Sequence, residues 1–167
     1  MRHIVLILVA FLPIALFVQN RSATGAQAQP GEGSPAGKAV ATFAGGCFWC
    51  IEADFEKVEG VSEAVSGFAG GNESNPTYKQ VASGKTSHLE AVQVTFDPST
   101  VTFSELLEVF WKHVNPTDPG GQFVDRGAQY RSAIFYHDEE QQQLAQKSQE
   151  SLESSGIFER EIVTEIR

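Results

Sequence analysis

Cysteine is scarce in this sequence, since the 167 residues include only Cys47 and Cys50. A structural disulfide stabilises a fold most when it joins distant parts of the chain. These two cysteines stand three positions apart, so a bond between them would constrain the unfolded chain very little. The pair is therefore poorly explained as a structural crosslink, and its spacing indicates a chemical role.

Positive charge is also in short supply. Lys and Arg number 12 against 21 Asp and Glu, which gives a net charge of −9. A chain of this charge has no electrostatic attraction to nucleic acid or to anionic membranes. We therefore expect neither a nucleic-acid partner nor a stable membrane partner.

The ligands of a metal site are missing as well. The sequence has no second C-x-x-C, and His88, His113 and His137 lack the close pairing of zinc-finger ligands. A haem-attachment motif needs His directly after the second Cys, where this chain has Ile51. We predict no metal and no bound cofactor.

Long apolar runs are limited to one, at residues 4–18 near the N-terminus. A membrane span needs about 20 apolar residues, so this run is short for one. A basic start precedes it and Ala26-Gln27-Ala28 follows it, which is typical of a secretory signal. We predict a signal peptide over residues 1–28, cleaved near Ala28 for export to the periplasm or outside the cell. An uncleaved membrane anchor is the alternative, and residues 29–38 read as a flexible lead-in.

From residue 39 onward, apolar periodicity and turn residues divide the chain into strands and helices. Strands are predicted over 39–43, 61–68, 89–96, 131–136 and 161–166, helices over 47–58, 102–114 and 138–155, and a long loop over 115–130. The order β-α-β-β-α-β followed by α-β predicts an α+β fold. We expect a ferredoxin-like βαββαβ two-layer sandwich with an added C-terminal helix and strand, as one domain over residues 39–167.

Cys47 follows Gly45 and Gly46 after the first strand and opens the first helix. Unpaired N–H groups and the helix dipole at such a position favour a thiolate. Three helical residues return to nearly the same face, so Cys50 is predicted within the roughly 4.4–6.8 Å Cα separation of a disulfide. This is the arrangement of a nucleophile and its resolving thiol.

Two other readings of the cysteine pair stay open on the residues alone. A C-x-x-C near a βαβ pattern also occurs in thioredoxin-like disulfide oxidoreductases. A secreted binding domain could use the pair as a local clip. Phe48 between the cysteines fits the apolar helix face, whereas Trp49 does not and is predicted to form the wall of a small apolar pocket.

Several short motifs, taken together and in this order, closely resemble the A-type peptide-methionine sulfoxide reductases (MsrA), from about Ala39 to Arg167. The motifs are Gly45-Gly46-Cys47-Phe48-Trp49, Asn75-Pro76-Thr77-Tyr78, His88-Leu89-Glu90, Phe96-Asp97-Pro98 and Gly127-Ala128-Gln129-Tyr130-Arg131-Ser132.

The resemblance implies a role for each candidate site residue. Cys47 would attack the sulfoxide, Glu90 would protonate its oxygen, and Cys50 would resolve the sulfenic acid. The substrate-binding residues would be two phenols, a loop carboxylate and an aromatic contact for the substrate methyl group, namely Tyr78, Tyr130, Asp125, Phe48 and Trp49. Burial would have to keep Glu90 neutral.

The family also implies the substrate and the reductant. Members act on the S epimer of methionine sulfoxide, free or in proteins, and an external dithiol such as thioredoxin reopens the disulfide. Many relatives resolve the sulfenic acid with distant cysteines, which this chain lacks, so Cys50 is the internal resolver that remains. Relatives usually continue past the last strand, so either the 39–167 domain is truncated at its C-terminus or the surroundings of its active site are incomplete.

Overall fold

The computed structural model describes residues 37–167. The predicted signal over 1–28 and most of the predicted lead-in lie outside the described residues. Within residues 37–167, no helix is long and apolar enough to cross a membrane.

Seven strands, four helices and one 3-10 turn make up the described part of the chain. The strands are β1 (Ala39–Gly45), β2 (Val61–Ala69), β3 (Leu89–Phe96), β4 (Gly121–Gln122), β5 (Asp125–Arg126), β6 (Ser132–Phe135) and β7 (Glu165–Ile166), the helices are α1 (Phe48–Phe55), α2 (Tyr78–Ala82), α3 (Phe103–His113) and α4 (Glu139–Ser154), and the 3-10 helix is Ala128–Tyr130.

The main sheet has the strand order β2-β3-β1-β6-β7. Strand β1 lies at its centre and pairs antiparallel with both β3 and β6, while β2 pairs antiparallel with β3. This is the order of the predicted ferredoxin-like unit, and α4 followed by β7, which pairs parallel with β6, is the predicted addition. The α+β prediction is confirmed.

The core lies between the sheet and the helices, and aromatic rings fill much of it. Phe43 of β1 is fully buried and stacks on three rings, with centroid distances of 4.9 Å to Phe55, 6.0 Å to Phe103 and 5.3 Å to Phe110. Because side chains alternate along a strand, the next residue, Ala44, belongs to a smaller cluster on the other face of the sheet. The end of β1, from which the site begins, is thus anchored on both faces.

Helix boundaries follow local hydrogen bonding. Helix α3 begins at Thr102, whose side chain accepts from the Glu105 N–H while the Glu105 carboxylate accepts from the Thr102 N–H, as the predicted capping box requires. The same device opens α2 at Thr77 with Gln80, where no helix is predicted. Helix α1 ends at Phe55, three residues before its predicted end, because the Val58 N–H turns back to the Phe55 carbonyl at 3.0 Å.

Two other predicted segments are wrong in detail. Residues 115–130, predicted as a loop, contain the β4–β5 hairpin and the 3-10 helix. The last strand is only Glu165–Ile166, because the preceding residues bond elsewhere: the Val163 N–H donates to the Pro116 carbonyl at 2.8 Å. Tertiary contacts with the 115–130 segment therefore replace part of the predicted strand.

Candidate active site

The site begins at the turn between β1 and α1. Gly46 has φ +97, a conformation that L side chains rarely adopt, and a Cβ there would lie 2.8 Å from Cβ of Gln122. A Cβ on Gly45 would lie 2.7 Å from Cγ1 of Val114. The close approach of these neighbours explains why the turn is made of two glycines and places Cys47 at the N-cap of α1.

Cys47 is partly exposed and has a free thiol, and Cys50 is exposed and also free. The Cys50 N–H donates to the Cys47 carbonyl at 3.0 Å, in the first turn of α1. The pKa of Cys50 is raised, first by the partial burial of its sulfur and then by the charge of the Cys47 thiol and a hydrogen bond with it. The two cysteines therefore occupy the first turn of α1, and a disulfide between them stays a prediction.

Glu90, the second residue of β3, is 2% exposed, although a glutamate at the start of a strand usually faces solvent. Its Oε2 accepts a hydrogen bond from the Phe48 N–H at 3.2 Å. Burial raises the pKa of this carboxyl, the Phe48 N–H opposes that effect, and the negative charge of Asp125 adds to it. Burial therefore shifts this carboxyl toward its protonated, neutral form.

The other oxygen of this carboxyl is unusual. In the described part of the chain, Glu90 Oε1 is one of two buried side-chain polar atoms without a hydrogen-bond partner. A buried polar atom of this kind costs free energy unless a water or ligand satisfies it. One oxygen of the carboxyl is thus bonded to the N–H of Phe48, the residue after Cys47, and the other oxygen is left without a partner.

The Phe48–Glu90 bond also changes one expectation about the helix start. The N–H of Phe48 is among the unpaired groups expected to favour a Cys47 thiolate, but it donates to Glu90 instead. The Cys47 side chain makes no capping hydrogen bond. Stabilisation of the thiolate by the helix start stays a prediction.

Four aromatic rings gather beside the thiols, and we call them the aromatic cluster: Phe48, Trp49, Phe68 and Tyr78. The ring of Phe48 lies 5.3 Å from that of Trp49, 5.8 Å from that of Phe68 and 6.1 Å from that of Tyr78, and Trp49 stacks on Tyr78 at 6.1 Å. Phe48 is 7% exposed and also joins the core, while Trp49 is 62% exposed. The cluster is an apolar surface, buried on the Phe48 side and exposed on the Trp49 side.

The 115–130 segment brings the remaining two predicted residues to the same place. Gln122, 1% exposed, accepts from the Asn115 N–H at 2.6 Å and donates to the Asn115 carbonyl at 3.0 Å, which fixes the base of the β4–β5 hairpin. Asp125 on β5 acts electrostatically on both Cys50 and Glu90. The predicted loop is therefore a hydrogen-bonded segment with one carboxylate beside the thiols.

Tyr130, at the end of the 3-10 helix, completes the group. Its pKa is raised by burial first and then by the negative charges of Glu90 and Asp125, and the Tyr78 phenol adds to the effect. The phenol is therefore kept as a hydrogen-bond donor close to the acid.

All eight sequence-predicted site residues thus lie around one helix start. The sequence did not identify Phe68 as a site residue. Its position near the end of an alternating strand was the only feature that set it apart. Gln122, the side chain that packs against Gly46, was not identified either. Within residues 37–167, no group of three or more His, Cys, Asp or Glu side chains is placed to hold a metal ion.

Two free thiols in one helix turn, a buried carboxyl with a raised pKa and an aromatic surface on a ferredoxin-like sheet define the class of protein as a thiol-dependent oxidoreductase. The family model for peptide methionine sulfoxide reductase matches residues 39–167. The chain belongs to the peptide methionine sulfoxide reductase family. The predicted family and enzyme class are confirmed.

Proteins with similar sequences are peptide methionine sulfoxide reductases of the MsrA type. The peptide methionine sulfoxide reductase MsrA of Bacillus velezensis is 53% identical over 129 residues, which cover 77% of this chain and 73% of that protein. The MsrA of Listeria innocua is 55% identical over 126 residues, or 75% of this chain and 71% of that protein.

Solved structures agree with the fold. Methionine sulfoxide reductase A of Corynebacterium diphtheriae is 34% identical with a TM-score of 0.69, over 79% of this chain and 65% of that one. Mxr1 from Saccharomyces cerevisiae in reduced form is 31% identical with a TM-score of 0.73, over 79% of this chain and 76% of that one. A structure of Mxr1 in complex with Trx2, 22% identical with a TM-score of 0.57 over 78% of this chain and 76% of that one, shares the fold.

Proposed function

We propose that this chain reduces the S epimer of methionine sulfoxide, free or in proteins, to methionine, with Cys47 as nucleophile and Glu90 as acid. One observation carries the proposal: Glu90 is buried, its pKa is raised, and the residue next to Cys47 holds one of its oxygens while the other has no partner. Proton transfer to a leaving oxygen needs an acid that is protonated near neutral pH. Burial raises the pKa of Glu90 in the direction that this role requires.

In the first step, the Cys47 sulfur attacks the sulfoxide sulfur while the Glu90 carboxyl gives its proton to the sulfoxide oxygen. The attack forms an S–S bond between Cys47 and the substrate. The protonated oxygen then moves to the Cys47 sulfur as the S–O bond of the substrate breaks, and the S–S bond breaks with its electron pair returning to the substrate sulfur, which releases methionine and leaves a sulfenic acid on Cys47. The substrate is reduced by two electrons and Cys47 is oxidised by two. The phenols of Tyr78 and Tyr130 are the groups proposed to donate hydrogen bonds to the oxygen.

In the second step, the Cys50 thiol attacks the sulfenic acid, forms a disulfide with Cys47 and releases water. The three-residue spacing supports this role, because both cysteines lie in the first turn of α1 and so share nearly the same helix face. A thioredoxin-type dithiol then reduces the disulfide by exchange. The complex of yeast Mxr1 with Trx2 supports a reductant of that class.

The aromatic cluster is the proposed binding surface for the methyl group of the substrate. Phe48 and Trp49 present ring faces beside the thiols, and Tyr78 stacks against both. An apolar methyl group gains free energy by leaving water for such a surface. The polar oxygen would then lie toward the phenols and Glu90, which gives the site a preferred orientation of the sulfoxide.

The decisive test is a single-turnover experiment on the two epimers without added reductant. We expect the wild-type protein to release about one methionine per chain from the S epimer and to lose both free thiols. Cys50→Ser should release the same amount and leave a sulfenic acid that dimedone labels. Cys47→Ser should release none, and activity in Cys47→Ser would contradict the proposal.

The same variants separate the rival enzyme class. A general disulfide oxidoreductase would reduce the disulfides of insulin and would be indifferent to Glu90→Gln. A sulfoxide reductase should leave insulin unchanged and should lose rate in Glu90→Gln at the methionine-releasing step. Equal insulin activity in wild type and Glu90→Gln, without sulfoxide reduction, would support the rival.

Export and domain boundaries form a separate proposal. The basic start, the apolar run at residues 4–18 and the small residues before Gln29 support a signal over 1–28 and export of a domain over 39–167. Expression of the full chain in a bacterial host tests this. A periplasmic product that begins near Gln29 is expected, and a cytoplasmic product that retains Met1 would contradict it.

A further inference from the structure

Gln129 is a buried side chain that none of the proposed steps uses. It lies in the 3-10 helix directly before Tyr130 and is 6% exposed. Its Nε2 donates a hydrogen bond of 3.0 Å to the carbonyl of Ala82. Ala82 is the last residue of α2, the helix that Tyr78 opens, so this bond joins the two segments that carry the phenols.

Helix α2 is held at its start by the Thr77–Gln80 capping box and by the rings on which Tyr78 stacks, and at its end by Gln129. It has five residues, of which it buries Val81, and Tyr78 at its start is 50% exposed. A helix this short is not stable by itself. A buried amide that satisfies its last carbonyl is therefore an important constraint on where Tyr78 lies.

The Gln129 amide is tightly enclosed. A Cβ on Gly127 would lie 2.5 Å from Gln129 Oε1, and a Cβ on Gly84 would lie 3.5 Å from the same atom. Both glycines have positive φ, +137 and +67. Gln129 is also the direct neighbour of Tyr130 in the 3-10 helix. Its side chain thus joins α2 to the segment that carries Tyr130.

We propose that Gln129 is a positioning residue that fixes the separation of Tyr78 and Tyr130, so that both phenols address one sulfoxide oxygen. The inference rests on the proposed function for its catalytic consequence. The structural part of the proposal, that Gln129 holds Tyr78 in position, depends only on the hydrogen bond from Gln129 to Ala82.

The test is Gln129→Glu, which keeps the size of the side chain and replaces the donor with an acceptor. An ionised Glu repels the Ala82 carbonyl, whereas a protonated Glu can donate to it. Gln141→Glu is the matched control, because Gln141 is also 6% exposed and donates to a backbone carbonyl, that of Val40, at 2.7 Å. Val40 lies at the start of β1, away from the end of that strand that leads to Cys47.

The first readout needs no activity. Trp49 stacks on Tyr78, and in a Trp111→Phe background Trp49 is the single tryptophan of the chain. We expect Gln129→Glu to change the Trp49 emission at pH 8 and to recover it toward pH 5, while Gln141→Glu changes it at neither pH. Unchanged Trp49 emission in Gln129→Glu would overturn the proposal.

The second readout is kinetic. Loss of the bond should raise KM for the S epimer roughly 5- to 30-fold at pH 8, the effect of one misplaced buried hydrogen bond. The ratio of kcat/KM between variant and wild type should recover as the pH falls. An equal loss in Gln141→Glu would mean that general destabilisation, and not positioning, explains the effect. A wild-type protein without sulfoxide reductase activity would refute the proposed function and leave the fluorescence test of Gln129 intact.

Discussion

The turn that presents Cys47 should tolerate no side chain at Gly46. In Gly46→Ala the backbone would have to keep φ +97 with an L residue, and the new Cβ would lie 2.8 Å from Cβ of Gln122. Both atoms are attached directly to the backbone, so neither can rotate away. Either the turn opens or Gln122 moves.

The size of the effect follows from these two costs. A non-glycine residue in a left-handed conformation costs about 1–2 kcal/mol. Displacing Gln122 weakens its two hydrogen bonds with Asn115, each of which contributes about 1 kcal/mol. The free energy of unfolding should therefore fall by about 2–4 kcal/mol in total. In a domain of this size that corresponds to a decrease of roughly 6–20 °C in Tm.

Thermal unfolding followed by circular dichroism measures this decrease, and Gly67→Ala is the control. A Cβ on Gly67 meets nothing within 4 Å, and Gly67 lies in β2. Alanine there should leave Tm unchanged or raise it slightly, because glycine in a strand costs about 0.5–1 kcal/mol. If Gly46→Ala has the same Tm as Gly67→Ala, the claim that close packing against Gln122 shapes the Cys47 turn is refuted.

Three further predictions concern the acid, a helix cap and the aromatic cluster. Because burial raises the pKa of Glu90, the stability it contributes is complete below its unfolded pKa and is lost as the pH rises through the folded value. Glu90→Gln should therefore gain Tm relative to wild type between about pH 4 and pH 8, and a constant difference would contradict this sign. Thr102→Ala should cost about 1 kcal/mol in urea unfolding through loss of the α3 cap, while the exposed Ser104→Ala in the same helix costs less. Phe68→Leu should raise KM for the sulfoxide by roughly 2- to 12-fold with kcat unchanged, since it removes the ring contact with Phe48, and a change in kcat alone would count against the cluster as a binding surface.

Local sequence patterns determined several elements of this protein correctly. Strand β3 begins and ends where its alternation and Asp97-Pro98 predict, and α3 begins at its capping box. These features depend on residues within a few positions of each other, so sequence alone contains the interactions that produce them. The glycine turn before Cys47 and the place of Cys50 in the same helix turn belong to the same group.

The resemblance to a family supplied the roles of Glu90, Tyr78, Tyr130 and Asp125, which no local pattern could assign. On strand periodicity alone Glu90 looked like a surface residue, and only the packed sheet shows that it is 2% exposed and bonded to Phe48.

Where the β4–β5 hairpin and α2 lie, and the bond from Gln129 to Ala82, were decided by the tertiary structure. The Thr77–Gln80 capping box is local, but the placement of both segments depends on groups that the chain brings together only after it folds, such as Gln122 with Gly46 and Gln129 with the end of α2. Burial and hydrogen bonding across such distances set the acidity and the position of the site residues, whereas sequence spacing sets only which of them share a helix or a strand.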